Sequence, residues 1–268
     1  MKSGLYHGDC QKLFAQVADG SVQCAIADPP YNIGYDYAGE YDDSLPAGQY
    51  IGWSRDWMQA LRPKLSPDGA FWLVISDEYV AELKVEAERL GYRLRSWCIW
   101  YFTFGVHCTD KPSRCHQHIL FFGTGLKTPR FYRENVLVPS ARQARYNDKR
   151  AANGGKTPND VWILFPDQLP ESATQADLDV WLASRIAGTF GHRAPDAPNQ
   201  LPEQIVGRMM LMTTQPGDLV LDPFAGSGTT PVVAKKLERL GIGFEQSAKT
   251  CKRAQTRFDS VSAGDPLT

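Results

Sequence analysis

An α/β fold built on a mostly parallel sheet is predicted by three observations. Short apolar runs suited to buried strands, at 21–27, 70–75 and 217–221, alternate with segments of helical spacing. The last of these runs passes through a glycine-bearing loop into another helical segment, so its order is strand, loop, helix; in open α/β sheets that order places a ligand beyond the carboxyl end of the strand. A chain of 268 residues is long enough for one large domain of this kind carrying an insertion.

The loop reads Asp222-Pro223-Phe224-Ala225-Gly226-Ser227-Gly228-Thr229-Thr230. Gly226 and Gly228 would let backbone approach a ligand, and Thr229 or Thr230 could cap the following helix. The loop lacks the Lys-Ser/Thr of a phosphate-binding loop and the third glycine of a dinucleotide fingerprint, so ATP and NAD are poorly served. Asp222, at the tip of the strand, suits a ligand with a cationic or hydroxyl-rich part. Glu245 closes a second apolar run about twenty residues on, where ribose hydroxyls are commonly held.

A tetrapeptide, Asp28-Pro29-Pro30-Tyr31, stands at the end of the run 21–27. The loop resembles the S-adenosylmethionine loop of amino-group DNA methyltransferases, and the tetrapeptide resembles their catalytic motif. With the tetrapeptide first and the loop about two hundred residues later, the order is similar to the permuted β class. The resemblance implies a Rossmann-like sheet of the class I methyltransferase type. It implies a single catalytic domain over 1–268, with a target-recognition insertion at roughly 103–195. S-adenosylmethionine is the implied cofactor and double-stranded DNA the partner, acted on by base flipping; a homodimer and a restriction endonuclease partner are also open. Adenine N6 is the preferred target, because Asp as the first residue is more usual in adenine enzymes; cytosine N4, or a non-catalytic DNA-binding protein on the same fold, are the alternatives.

The residue types in the tetrapeptide suit that chemistry. An exocyclic amine conjugated with its ring is a poor nucleophile until its hydrogens are held by acceptors that draw the nitrogen towards tetrahedral geometry. The Asp28 carboxylate and the Pro29 carbonyl could do this; Pro29 and Pro30 fix the backbone and donate no N–H of their own. Tyr31 offers an aromatic face for an extruded base.

Along the chain, residues 5–10 read as a short strand and turn, followed by a helix over 11–18. Asp9 either caps that helix or, by the resemblance, accepts from the cofactor's adenine; Cys10 is its neighbour at the cofactor. Residues 32–48, with Tyr35, Tyr37 and Tyr41, form a polar loop expected beside the base pocket. A helix over 50–61, a turn at Pro67-Asp68-Gly69, a strand at 70–75, a helix over 78–90 and a long aromatic strand over 92–104 complete the scaffold.

His107, Cys108, Cys115, His116 and His118 lack the paired Cys-x-x-Cys spacing of a zinc site, and no metal is expected. Cys115 and His116 are candidates, by the resemblance, for lining the base pocket; a buried structural histidine is the alternative. The segment 127–156 is basic and interleaved with aromatics in a chain of 29 Lys plus Arg against 30 Asp plus Glu. Arg130, Arg133, Arg142, Arg145, Lys149 and Arg150 are the DNA-contact candidates. An apolar run at 161–165, an acidic stretch to 179 and a helix over 178–186 follow.

Asn199 and Gln200 precede a helix over 204–213, where the resemblance implies a cofactor contact; Leu201 and Ala197 depart from the family's usual Lys and His. The cofactor helix is expected over 231–240, and Gln246 follows Glu245 at the cofactor. Six cysteines without a paired framework suit a reducing cytosol, and no apolar run approaches the ~20 residues that span a bilayer. The expected location is the cytoplasm.

Overall fold

The computed structural model describes residues 1–37, 41–106, 108–138, 155–162 and 200–268. The helix expected over 178–186 and the acidic stretch before it lie outside them, as do Asn199, Arg142, Arg145, Lys149 and Arg150.

Eight described strands form one sheet. They are β1 (Gly4–His7), β2 (Val22–Ala27), β3 (Leu65–Ile75), β4 (Arg93–Val106), β5 (Arg114–Gly123), β6 (Val161–Trp162), β7 (Leu219–Asp222) and β8 (Leu240–Glu245), in spatial order 1-8-7-2-3-5-4-6. Every pairing is parallel except β3 with β5 and β5 with β4. Alternating residues divide the core. Ala25 and Ala27 of β2 face one cluster with helices α2 (Ala47–Leu61) and α3 (Val80–Arg89); Cys24 and Ile26 face the other, with α4 (Glu203–Thr213) and α5 (Thr229–Lys236). A sheet covered on both faces reads as continuous apolar strands, as β2 does.

Several boundaries move. The first helix is only Cys10–Leu13 (α1), continued by a 3-10 turn at Phe14–Gln16. The turn at Pro67-Asp68-Gly69 lies inside β3: pairing with β2 jumps from Val22↔Leu65 to Cys24↔Ala70, so the turn is an outward bulge in a longer strand. The cofactor helix α5 ends at Lys236 and does not reach 240. Glu238 takes φ +64°, and Leu240 pairs with Leu219 as the first residue of β8, so the helical spacing of Leu237 and Leu240 is coincidental. A final helix, α6 (Ala248–Asp259), was not anticipated; it is mostly polar and buries Cys251, Ala254 and Phe258.

β5 is integral to the sheet, lying between β3 and β4. Residues 114–123, inside the span expected for a recognition insertion at roughly 103–195, are thus a strand of the main sheet. Most of the remainder of the expected span lies outside the described residues.

Candidate active site

The two motifs, far apart in sequence, end neighbouring strands: β2 pairs with β7 through Cys24↔Val220 and Ala25↔Leu221. Helices leave these strands on opposite faces, so the gap between their carboxyl ends is a topological switch point. A cavity of about 1060 Å³ opens there.

Its wall includes most of the expected residues: Asp9 and Cys10 after β1, Asp28, Pro29, Pro30 and Tyr31 after β2, Gln200 before α4, Asp222 to Ser227 and Thr229 after β7, and Glu245 and Gln246 after β8. Asn199 lies outside the described residues. Gly228 is not in the wall. It takes φ +79° as N-cap of α5, and a Cβ there would come within 3.0 Å of Ala254 Cβ, so its close approach is to α6. Neither Thr229 nor Thr230 caps α5 through its side chain.

The loop is braced by backbone bonds. Glu245 accepts the Gly226 N–H at 2.9 Å through Oε2 and the Ser247 N–H at 2.7 Å through Oε1, while Ala225 N–H donates to the Phe244 carbonyl. Glu245 thus holds the loop as well as facing the cavity. Arg257 of α6, which sequence reasoning passed over, donates to Thr229 Oγ1 at 3.1 Å and to Glu203 Oε1 at 2.8 Å. Glu203 also takes Lys236 Nζ at 2.8 Å, and this buried network ties α4, α5 and α6 behind the loop. Its members sit among the ordinary charges of three helices, so spacing alone carried no signal.

Burial pushes the Asp28 carboxyl up to about 7, opposed by a hydrogen bond from Tyr31 and reinforced by the charge of Asp222. Burial does the same to Asp222, also to about 7, against hydrogen bonds from Thr230 and the Phe224 N–H. Tyr31 Oη lies 2.5 Å from Asp28 Oδ1 and 2.6 Å from Gln117 Oε1, and the residue is 8% exposed. Tyr50 donates to the Pro30 carbonyl at 2.7 Å, and among the described residues nothing donates to the Pro29 carbonyl. Asp9 caps α1, accepting the Gln11 N–H at 2.9 Å, and still lines the cavity, so its two readings coexist. The Cys10 thiol is pushed up to about 12, mainly by burial, and is no nucleophile.

The loop after Tyr31 supplies Ile33, Tyr35, Tyr37 and Tyr41 to the same cavity. Asp43, 3% exposed, gathers it by accepting the N–H groups of Asn32, Ile33 and Tyr35. Trp53 of α2 joins the wall and packs 5.6 Å from Phe224 between ring centroids, a contact its place on an amphipathic helix did not reveal.

Other candidates fall elsewhere. Arg130 is bonded to Asp68 at 2.9 Å and lies 3.6 Å from Asp218. These acids precede the buried stretches of β3 and β7, so Arg130 ties the amino-terminal ends of two interior strands, opposite the end that carries the cavity. Arg133 donates to Thr157 Oγ1 and the Gly155 carbonyl. Cys115 and His116 are not in the cavity wall. His116 and His118 share a face of β5, with Trp97 Nε1 donating to His118 Nδ1 at 2.9 Å, and burial lowers the His118 pKa. No three His, Cys, Asp or Glu side chains converge for a metal among the described residues.

Comparison with known sequences then decides the family. Residues 22–256 match the N6/N4 family of DNA methylases. The chain belongs to this family. This methylase is 32% identical over 254 residues to the type II methyltransferase M.HpaI of Haemophilus parainfluenzae, covering 94% of the chain and 73% of that protein. It is 30% identical over 253 residues to the type II methyltransferase M.BglII of Bacillus subtilis, covering 90% of the chain but 64% of that longer protein. In fold the methylase resembles the cytosine-N4-specific PvuII DNA methyltransferase (TM-score 0.68, 17% identity, 98% and 89% of the two chains). It also resembles M1.HpyAVI solved with S-adenosylmethionine (TM-score 0.62, 17% identity, 96% and 98%). The sheet is of the class I methyltransferase type.

Proposed function

We propose that this DNA methylase transfers a methyl group to the exocyclic N6 amine of adenine in double-stranded DNA, taking the base into the cavity by flipping it from the duplex. The observation that carries the reading is the meeting of Asp28 and the glycine loop at adjacent strand ends, in one cavity large enough for a cofactor and a base.

The cofactor is S-adenosylmethionine, and the residues present fit it. A Cβ at Gly226 would meet nothing nearer than the Phe224 carbonyl at 4.0 Å, so the absence of a side chain leaves open space over the loop. Asp222 and Asp28 are buried acids that a cationic ligand would complement. Asp9, Gln200, the backbone of 223–227 and Glu245 would hold it, and when bound it supplies a methyl group already activated by a sulfonium. The protein's task is then placement. Asp28 and the Pro29 carbonyl accept hydrogen bonds from the two amine N–H groups, directing the nitrogen lone pair at the methyl group. As the N–C bond forms, with a neutral thioether as the leaving group, the nitrogen gives up one of its two protons. Tyr31 and the tyrosines of the adjoining loop supply ring faces for the base.

Cytosine N4 is the second reading, since the same carboxylate can accept from either amine. DNA outside the cavity would be gripped by the basic run 127–156, with Arg142, Arg145, Lys149 and Arg150 as phosphate contacts. Arg130 is left out of that set because of its ion pairs. Substituting Arg142 and Arg145 by Ala should weaken binding across sequences and flatten its salt dependence; an unchanged salt slope would place the grip elsewhere.

The reaction is tested by transfer of labelled methyl to unmethylated bacterial DNA, digestion to nucleosides and mass spectrometry. N6-methyladenine is expected, lost by roughly a hundredfold or more in Asp28→Ala while cofactor affinity stays within a few-fold. N4-methylcytosine instead would overturn the choice of base. Cofactor binding without transfer to either base would overturn the reaction.

A further inference from the structure

We infer that Gln117 is a positioning residue for the methyl-transfer site: its carboxamide, standing behind Tyr31, sets where the Tyr31 hydroxyl points and so how the Asp28 carboxylate is held. This deepens the proposed function and rests on Asp28 being the acceptor of the amine.

Three facts of geometry carry it. Gln117 belongs to β5, 86 residues from Tyr31 in sequence, yet its Oε1 lies 2.6 Å from Tyr31 Oη. It does not line the cavity, whereas Tyr31 and Asp28 do, so its reach to the site is through the Tyr31 hydroxyl. Among the described residues, the side-chain hydrogen bond to the Asp28 carboxylate comes from Tyr31. The other groups felt at Asp28 are Asp222 from the end of β7, a like charge, and Tyr37 from the following loop; Tyr50 of α2 is engaged with the Pro30 carbonyl. None of them replaces the Tyr31 contact.

A phenol has one hydrogen and here stands between two oxygens, so it cannot donate to both. Two arrangements satisfy every group. With Asp28 ionised, the Tyr31 O–H donates to the carboxylate and the NH₂ end of Gln117 turns to donate to the phenol oxygen. With Asp28 protonated, the carboxyl O–H donates to Tyr31, which donates to Gln117 Oε1. Only a partner that can both donate and accept serves both states, and an amide is such a partner. A carboxylate at 117 would accept only. It would draw the Tyr31 hydrogen away from Asp28 and add a like charge nearby.

The test begins with cofactor-free protein labelled with ¹³C at aspartate carboxyls, the Asp28 resonance being assigned by its loss in Asp28→Asn. Gln117→Glu should raise the Asp28 titration midpoint by about one pH unit or more. The acid limb of the kcat profile should move with it, and KM for S-adenosylmethionine should change little. Because the titration is read without turnover, it reports on the Gln117 contact even if the assigned reaction is wrong. Gln117→Met, similar in bulk but without the hydrogen bond, should lower kcat roughly tenfold and have no further effect in Tyr31→Phe. An Asp28 midpoint unmoved by Gln117→Glu would overturn the inference. So would a Gln117→Met loss equally large with and without the Tyr31 hydroxyl, which marks a merely structural role.

Discussion

Asp28 and Asp222 are the two acids on which catalysis and stability pull in opposite directions. Both carboxyls are raised to about 7, so between the unfolded value near 4 and that point the folded protein holds more protons than the unfolded chain. Stability contributed by these groups is therefore present at low pH and lost as pH rises towards and through 7, the reverse of an ion-paired carboxylate. Activity runs the other way, because an amine acceptor must be ionised. We expect kcat to rise through about pH 7, and Asp28→Asn to raise the thermal midpoint of the cofactor-free protein at pH 8 more than at pH 5. Calorimetry showing the larger gain at pH 5 would contradict this assignment. The carboxylates themselves were legible from the sequence, since each closes a recognisable motif. Gln117 was not: it is a polar residue between two histidines, and only the pairing of β5 with β3 and β4 brings it over the end of the sheet towards Tyr31.

At the scale of elements, the site is a set of loops held by buried polar ties. Asp43 accepts three successive or near-successive N–H groups of the loop after Tyr31, which places Tyr35 and Tyr37 over the cavity. Asp43→Ala should weaken duplex affinity at least tenfold while changing S-adenosylmethionine affinity little. Calorimetric titration with each ligand separates the two, and an equal loss for both would show that the loop serves the whole cavity. Gly228→Ala should cost about 1–2 kcal/mol of stability in urea unfolding, from the left-handed backbone alone, with further loss from the Ala254 contact. Elements with apolar periodicity, such as β2 and α2, were legible in the sequence. α6 escaped because its buried face is only Cys251, Ala254 and Phe258 in a run of lysines, arginines and threonines. The overrun of α5 has a different origin: a left-handed Glu238 is invisible to periodicity.

Over the whole molecule, the chain belongs to a family shared with M.HpaI and M.BglII, and the match reaches from β2 to α6. The fold class was legible because strands and helices alternate and because both motifs sit at strand ends. The placement of β5 inside the sheet was not, since an antiparallel strand between two others depends on long-range pairing that no local pattern records.

The strand order has a consequence for how the protein is made. β1 precedes the other described strands in the chain, yet among the described residues it pairs with β8 alone; β2 has β3 on one side, but on the other waits for β7. On the ribosome, a nascent chain that has emerged through residue 200 carries β1 and β2 without β8 and β7, the described strands that pair with β1 and with one side of β2. That state invites pairing with other chains until residues 219–245 arrive to fill the slot. A fragment ending before Leu219 should therefore aggregate when expressed alone and be rescued into solution by co-expression of the remaining C-terminal piece. Sedimentation of the two preparations would show it. The late closure also means that a copy clipped before Leu219 keeps Asp9, Asp28 and Gln200 but loses Asp222 to Ser227 and Glu245, the larger part of the cavity wall on the glycine-loop side.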